Sequence, residues 1–186
     1  MSQSIAFIGV GNMGCPMAEN LMKAGKSVKV FDVSKKMLGI AKDKNLEIIE
    51  DLDDLITADV ETVITMLPEG KHSKEVYLGE NGIINKVSKD CLLIDCSTID
   101  MKTSIEIGKK ASELGIKMID APVSGGVMGA QKATLNIMVG GSKEAFDKAF
   151  PLLKIMGKNI FHAGDLGSGN GACLLYTSPS PRDVNR

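Results

Sequence analysis

SIAFIGVGNMG, from Ser4 to Gly14, is the stretch on which the fold turns. Its first seven residues, Ser4 to Val10, form a nearly continuous apolar run, the pattern of a strand covered on both faces. The glycines that follow, Gly9, Gly11 and Gly14, fit G-x-G-x-x-G. Beyond them Met13, Met17 and Leu21 repeat at four-residue spacing, which predicts a helix, and Gly25 is placed to stop it. A glycine turn joining a strand to a helix gives the pattern chemical meaning. Gly9 permits the tight turn. Gly11 removes a Cβ so that a pyrophosphate can approach the backbone, and Gly14 lets the helix pack closely on the strand. The amides around Asn12 and Met13 then face the phosphates, aided by the positive end of the helix dipole.

The next strand, KSVKVFD, places Val28 and Val30 on one face and ends at Asp32. A carboxylate about 20 residues past the turn can accept hydrogen bonds from a ribose diol, and it repels a 2′-phosphate. The expected cofactor is therefore NAD, with NADP disfavoured. Lys35 and Lys36 lie close and soften that preference, since they could neutralise a phosphate, but they read first as solvated charges in a first helical turn, which Ser34 caps.

The same alternation continues along the chain. Asp51 opens a short helix through Leu55. Val60 to Pro68, Cys91 to Thr98, IKMIDAPV, Thr134 to Gly141 and KNIFHAG read as further strands. Ile107, Ala111 and Leu114 mark a helix face ended by Gly115. Phe146, Ala149, Leu153 and Met156 mark another, with Pro151 placed to kink or split it. This order predicts one doubly wound α/β domain over residues 1–164, with a mainly parallel sheet covered on both faces.

The bulk composition excludes other classes. The chain has 186 residues, 44% of them hydrophobic and 24% charged, and a formal net charge of −1. That balance offers no electrostatic basis for binding nucleic acid or an anionic membrane. No targeting segment or long apolar run is visible, and Cys15, Cys91, Cys96 and Cys173 lack paired spacing. A cytoplasmic protein with reduced thiols and no metal site is expected. The eleven methionines follow helix and strand periods and read as core filling,.

Three more stretches, TMLP (Thr65 to Pro68), IDCSTID (Ile94 to Asp100) and DAPVSGG (Asp120 to Gly126), join FIGVGNMGCPMAENLMKAG in one order and spacing. Together they resemble the 3-hydroxyisobutyrate dehydrogenase family of β-hydroxyacid dehydrogenases, over residues 5–172. The resemblance implies a Rossmann cofactor domain, then a long helix leading to a helical domain that closes the site and forms the dimer. It implies reversible oxidation of a 3-hydroxy acid to its semialdehyde, with a small hydroxy acid as substrate and a homo-oligomeric full-length parent. It places Leu67 and Pro68 beside the cofactor, Thr98 near the nicotinamide, and Ser124, Gly125 and Gly126 on the substrate carboxylate. A Ser-Gly-Gly turn past a strand end can also offer a hydroxyl and close amides to an anion on its own chemistry. Val127 and Met128 stand where the phosphogluconate branch carries glutamates. Reductases of tartronate semialdehyde share most of these motifs and remain an alternative, as does a non-catalytic NAD(H)-binding module.

The family's catalytic lysine lies in G-x-G-x-x-x-K, with an asparagine four residues on. Gly167-Ser168-Gly169 begins that pattern, but its lysine position is Cys173 and its asparagine position Thr177. A thiol brings no positive charge to favour an alkoxide-like transition state. His72 and His162 are expected on an exposed helix start and in a strand, outside the chemistry. From Cys173 to Asp183 the chain also reads as the translation of a transposase sequencing adapter. The expected organisation is thus a cofactor domain at 1–164, the start of an interdomain helix at 165–172 and a non-native tail at 173–186. As given, the chain is expected to lack turnover.

Overall fold

A computed structural model describes residues 4–177. Its first elements are β1 (Ser4–Ile8), α1 (Gly14–Lys23), β2 (Ser27–Phe31) and α2 (Lys35–Asp43). Then come β3 (Glu47–Ile48), α3 (Leu52–Leu55), β4 (Thr62–Thr65), α4 (Gly70–Leu78), β5 (Leu92–Asp95), α5 (Met101–Glu113) and β6 (Lys117–Asp120). Several boundaries have local causes. Ser34 caps α2 by accepting from Met37 N at 3.4 Å. Asp51 caps α3 by accepting from Asp53 N at 2.7 Å. Gly25, at φ +83°, supplies the left-handed turn after α1,.

Strands β3, β2, β1, β4, β5 and β6 lie side by side in that order, all parallel. Alternate residues feed two cores, as the two-residue strand period requires. Ile5, Phe7, Val30, Ile64, Ile94 and Ile119 pack with Met17 and Leu21 of α1 and Ala41 of α2. Ala6, Ile8, Val63, Leu93 and Met118 pack on the other face with Leu55, Tyr77 and Ile107 from α3, α4 and α5. The sheet is doubly wound, as the sequence pattern implied.

The remaining elements are β7 (Val123–Ser124), α6 (Gly126–Gln131), β8 (Leu135–Gly140), α7 (Lys143–Met156), β9 (Gly157–Gly164) and α8 (Ser168–Thr177). Here the chain reverses. β8 runs antiparallel to β6 and β7, pairing Asp120 with Gly140 and Val123 with Ile137 in one continuous register. β6 and β7 are thus successive pieces of one edge, parted at Ala121 and Pro122, and the proline has no N–H for the ladder. β9 then pairs parallel to β8.

Pro151 does not split its helix: α7 runs unbroken for 14 residues. The carbonyl that its missing N–H leaves unpaired belongs to exposed Asp147, where water can satisfy it,. α8 continues as helix across the Ala172–Cys173 boundary. The adapter-like residues from Ser178 onward lie outside the described residues.

Candidate cofactor site

Register aligns Phe31, Ile8, Thr65, Asp95 and Asp120 in one row across the C-terminal ends of β2, β1, β4, β5 and β6. The strand order reverses between β1 and β4, so the connections leaving them diverge and open a crevice,. A cavity of about 480 Å³ occupies it. Gly9, Gly11, Asn12, Met13 and Gly14 line it from the turn, Asp32 from the end of β2, and Leu67 and Pro68 from the loop after β4. These are eight of the nine residues expected at the cofactor.

The three glycines differ in what surrounds them. A Cβ on Gly9, at φ +92°, would strike the Met66 carbonyl oxygen, and one on Gly14 would strike the carbonyl oxygen of Gly9. Both positions are closed by backbone. A Cβ on Gly11 would meet no protein atom within 4 Å. Space is open at Gly11 and used up at Gly9 and Gly14, where the turn folds on itself. The first turn of α1 carries neither an acidic residue nor a side-chain cap, so its amides and dipole are presented to an anion.

Asp32 holds this turn in place. Its Oδ2 accepts from Val10 N at 2.9 Å, and its Oδ1 accepts from Ser34 N at 2.8 Å. Each carboxylate oxygen keeps a second lone pair for a ribose hydroxyl. Among the described residues no lysine or arginine lines this cavity, whereas Asp32 and Glu75 both do. A 2′-phosphate in this cavity would meet those carboxylates, while Lys35 and Lys42 line a neighbouring cavity that also borders Asp32 and Val33. These residues fit NAD.

The β4 and β5 loops are fastened together from below. Thr65 Oγ1 donates to Asp95 Oδ1 at 2.9 Å and lies 2.8 Å from the Tyr77 hydroxyl. Asp95 Oδ1 also accepts from Ser97 N at 3.0 Å, and Ser97 Oγ accepts from Leu67 N at 2.8 Å. The cofactor loop at Leu67 is thereby tied to the residue preceding Thr98. Complete burial pushes the Asp95 carboxyl up from its ordinary value, against hydrogen bonds from Ser97 and Thr65 that pull it down.

Thr98 lies outside the cavity, exposed on the loop after β5, with its side chain within hydrogen-bonding reach of Cys173 on α8. Ser124, Gly125 and Gly126 also lie outside it. They form a turn into α6, with Ser124 half-buried and Gly125 and Gly126 exposed at φ +135° and +63°. α6 packs beside α1, where Asn20 Nδ2 donates to the Ala130 carbonyl at 2.7 Å. The sequence motifs did not single out Glu75 or Val76, and His72 appeared only as an exposed residue; all three line the cavity from α4. The signal available was the helical spacing that puts residues 72, 75 and 76 on one face. His162 lies on β9, stacked 4.6 Å from Phe146 and 2.7 Å from the Gly141 carbonyl.

Among known proteins, the chain is 47% identical over 175 residues to a 3-hydroxyisobutyrate dehydrogenase of Pseudomonas aeruginosa, covering 90% of this chain and 56% of that one. It is 42% identical to an NAD-dependent L-serine dehydrogenase of the same organism, covering 91% and 57%. The solved structure of a Mycobacterium tuberculosis 3-hydroxyisobutyrate dehydrogenase with L-serine superposes with a TM-score of 0.89 at 36% identity, over 95% of this chain and 59% of that one. The chain spans about half the length of the curated relatives it matches. No helix among the described residues is long and apolar enough to cross a membrane. The model of the NAD binding domain of 6-phosphogluconate dehydrogenase matches residues 4–164, and the chain belongs to that family.

Proposed function

We propose that this chain is the cofactor domain of an NAD-dependent dehydrogenase that oxidises 3-hydroxyisobutyrate to its semialdehyde. The observation that carries this is the gathering of the glycine turn, Asp32, Leu67 and Pro68 around one cavity at the switch point of the sheet. In this reading the Gly9–Gly14 turn holds the pyrophosphate, Asp32 the adenosine ribose, and Leu67 and Pro68 flank the nucleotide. Thr98 stands at the nicotinamide, and Ser124, Gly125 and Gly126 receive the substrate carboxylate. Bound NAD supplies the hydride acceptor. Domain boundaries follow as residues 1–164 for the cofactor domain, 165–172 for the start of the interdomain helix and 173–186 for a non-native tail.

Proton removal from the alcohol needs a base, and a cation favours the developing alkoxide. Position 173, where the family carries lysine, holds a thiol whose burial pushes its pKa up, against the pull of Thr98. A neutral thiol is a poor base. The 186-residue chain therefore binds cofactor without turnover. Measured oxidation of 3-hydroxyisobutyrate by it above about 1 per second would refute that statement. Sequencing the source gene across codon 173 tests the boundary: lysine there supports it, and cysteine contradicts it.

The names of two similar proteins carry L-serine. L-serine is also a small 3-hydroxy acid, and a second reading makes it the substrate of the same reaction. Assaying the full-length parent against both acids separates the two by their kcat/KM ratio.

A further inference from the structure

Asp120 ends β6, and Asn170 sits in the first turn of α8; both are fully buried. Asp120 Oδ1 accepts from Gly167 N at 2.7 Å, and its Oδ2 accepts from Asn170 N at 2.7 Å and from Asn170 Nδ2 at 3.4 Å. The first turn of α8 has no acid of its own. Its cap comes instead from a strand about 50 residues earlier in the chain,. Asn170 passes the connection on, because its Oδ1 accepts from Ile99 N at 3.0 Å. Ile99 adjoins Thr98, whose side chain reaches Cys173.

Packing independently fixes the same junction. A Cβ on Gly169 would come within 2.8 Å of the Asp120 backbone oxygen and of its Oδ2. One on Gly140 would strike Asp120 Oδ1 and lie 2.7 Å from Gly169 N. The helix start is thus seated directly on the sheet end, with no room for side chains between them.

We propose that Asp120, acting through Asn170, is a positioning residue for the nicotinamide end of the crevice: it locks the start of α8 against Thr98 and Ile99 and so fixes where position 173 meets the bound cofactor. This rests on the NAD-binding reading above. Asp120 touches no part of the crevice where the adenosine half would sit, so its effect is confined to the nicotinamide half.

The test titrates the purified 186-residue chain, and its Asp120→Asn and Asn170→Ser variants, with NAD and with ADP-ribose, which lacks the nicotinamide. Wild-type chain is expected to bind both, NAD more tightly. The variants are expected to keep ADP-ribose affinity within about twofold while NAD weakens about fivefold or more. Hydrogen exchange should accelerate at the Gly167, Asn170 and Ile99 amides in Asp120→Asn and at the Ile99 amide in Asn170→Ser, with amides of β1 unchanged in both. Equal losses for the two ligands, or no loss for either, would overturn the proposal, as would a wild-type chain that gains nothing from the nicotinamide. A wild-type chain that binds neither ligand overturns the cofactor reading itself, and the proposal with it. If Asp120→Asn does not fold, Asn170→Ser decides, because it leaves the Asp120 cap on the Gly167 and Asn170 amides in place.

Discussion

Gly11 and Gly14 lie three residues apart in one turn, yet replacing each by alanine should have opposite consequences for stability. At Gly14 the new methyl would overlap the Gly9 carbonyl oxygen and lie 3.2 Å from Phe7 Cε1. Neither neighbour can swing aside, since one is backbone and the other a fully buried ring. α1 must retreat from β1, an overpacking of the kind that costs about 1–3 kcal/mol. For a chain of this size that lowers Tm by about 2–12 °C. At Gly11 the methyl meets no protein atom, so stability is unchanged or rises by up to about 1 kcal/mol through the restricted unfolded chain. Binding reverses the contrast. The Gly11 methyl stands where the pyrophosphate must approach, and a steric cost of about 1–3 kcal/mol weakens NAD about 5- to 150-fold. Thermal denaturation and calorimetric titration of both variants decide the matter. A Gly11→Ala chain that binds NAD like the parent refutes the close approach of a ligand at that backbone. A Gly14→Ala chain with unchanged Tm refutes the packing argument.

Asp32→Asn removes the charge beside the ribose while keeping one acceptor oxygen. Hydrogen bonds to charged groups contribute about 1.5–3 kcal/mol, so NAD should weaken about tenfold or more while NADP, relieved of repulsion, loses less. Calorimetry with both dinucleotides measures the ratio, and equal losses contradict the role given to Asp32. Asp95 makes a prediction about pH. Its burial raises the carboxyl above the ordinary value of 3.8, so the folded chain holds that proton to higher pH than the unfolded chain. Its contribution to stability is present below 3.8 and is lost as pH rises through the folded value,. Asp95→Asn has no such proton, and the stability advantage of the parent over the variant should shrink as pH rises through that window. Urea denaturation across the range tests this, and a difference constant with pH contradicts it.

Local patterns carried the first half of the structure. The strand, glycine turn and helix from Ser4 to Lys23, the caps at Ser34 and Asp51, and the carboxylate ending β2 all depend on residues within a few positions of one another. Most of the cofactor crevice was legible for that reason. The reversal at β8 was not, because Thr134 to Gly141 has the same apolar pattern whichever way it pairs, and Pro122 shows its effect only once β6 and β7 share a partner. The capping of α8 was also hidden. Gly167 and Gly169 looked like half of a catalytic signature, but the acid that completes the helix start is Asp120, far away in sequence and read only as part of a substrate motif. Asp95 was likewise quoted within a motif, and its work of tying Thr65 to Ser97 needs three elements in register. Glu75 and Val76 escaped notice because α4 is short and mostly polar, and only its fold-back over the crevice gives that face a role.

Titration of the purified chain with NAD and with NADP tests the cofactor site most directly. The predicted result is saturable NAD binding with NADP weaker by about tenfold or more, as expected where the Asp32 carboxylate stands at the ribose. Tighter binding of NADP, or binding of neither, would contradict it.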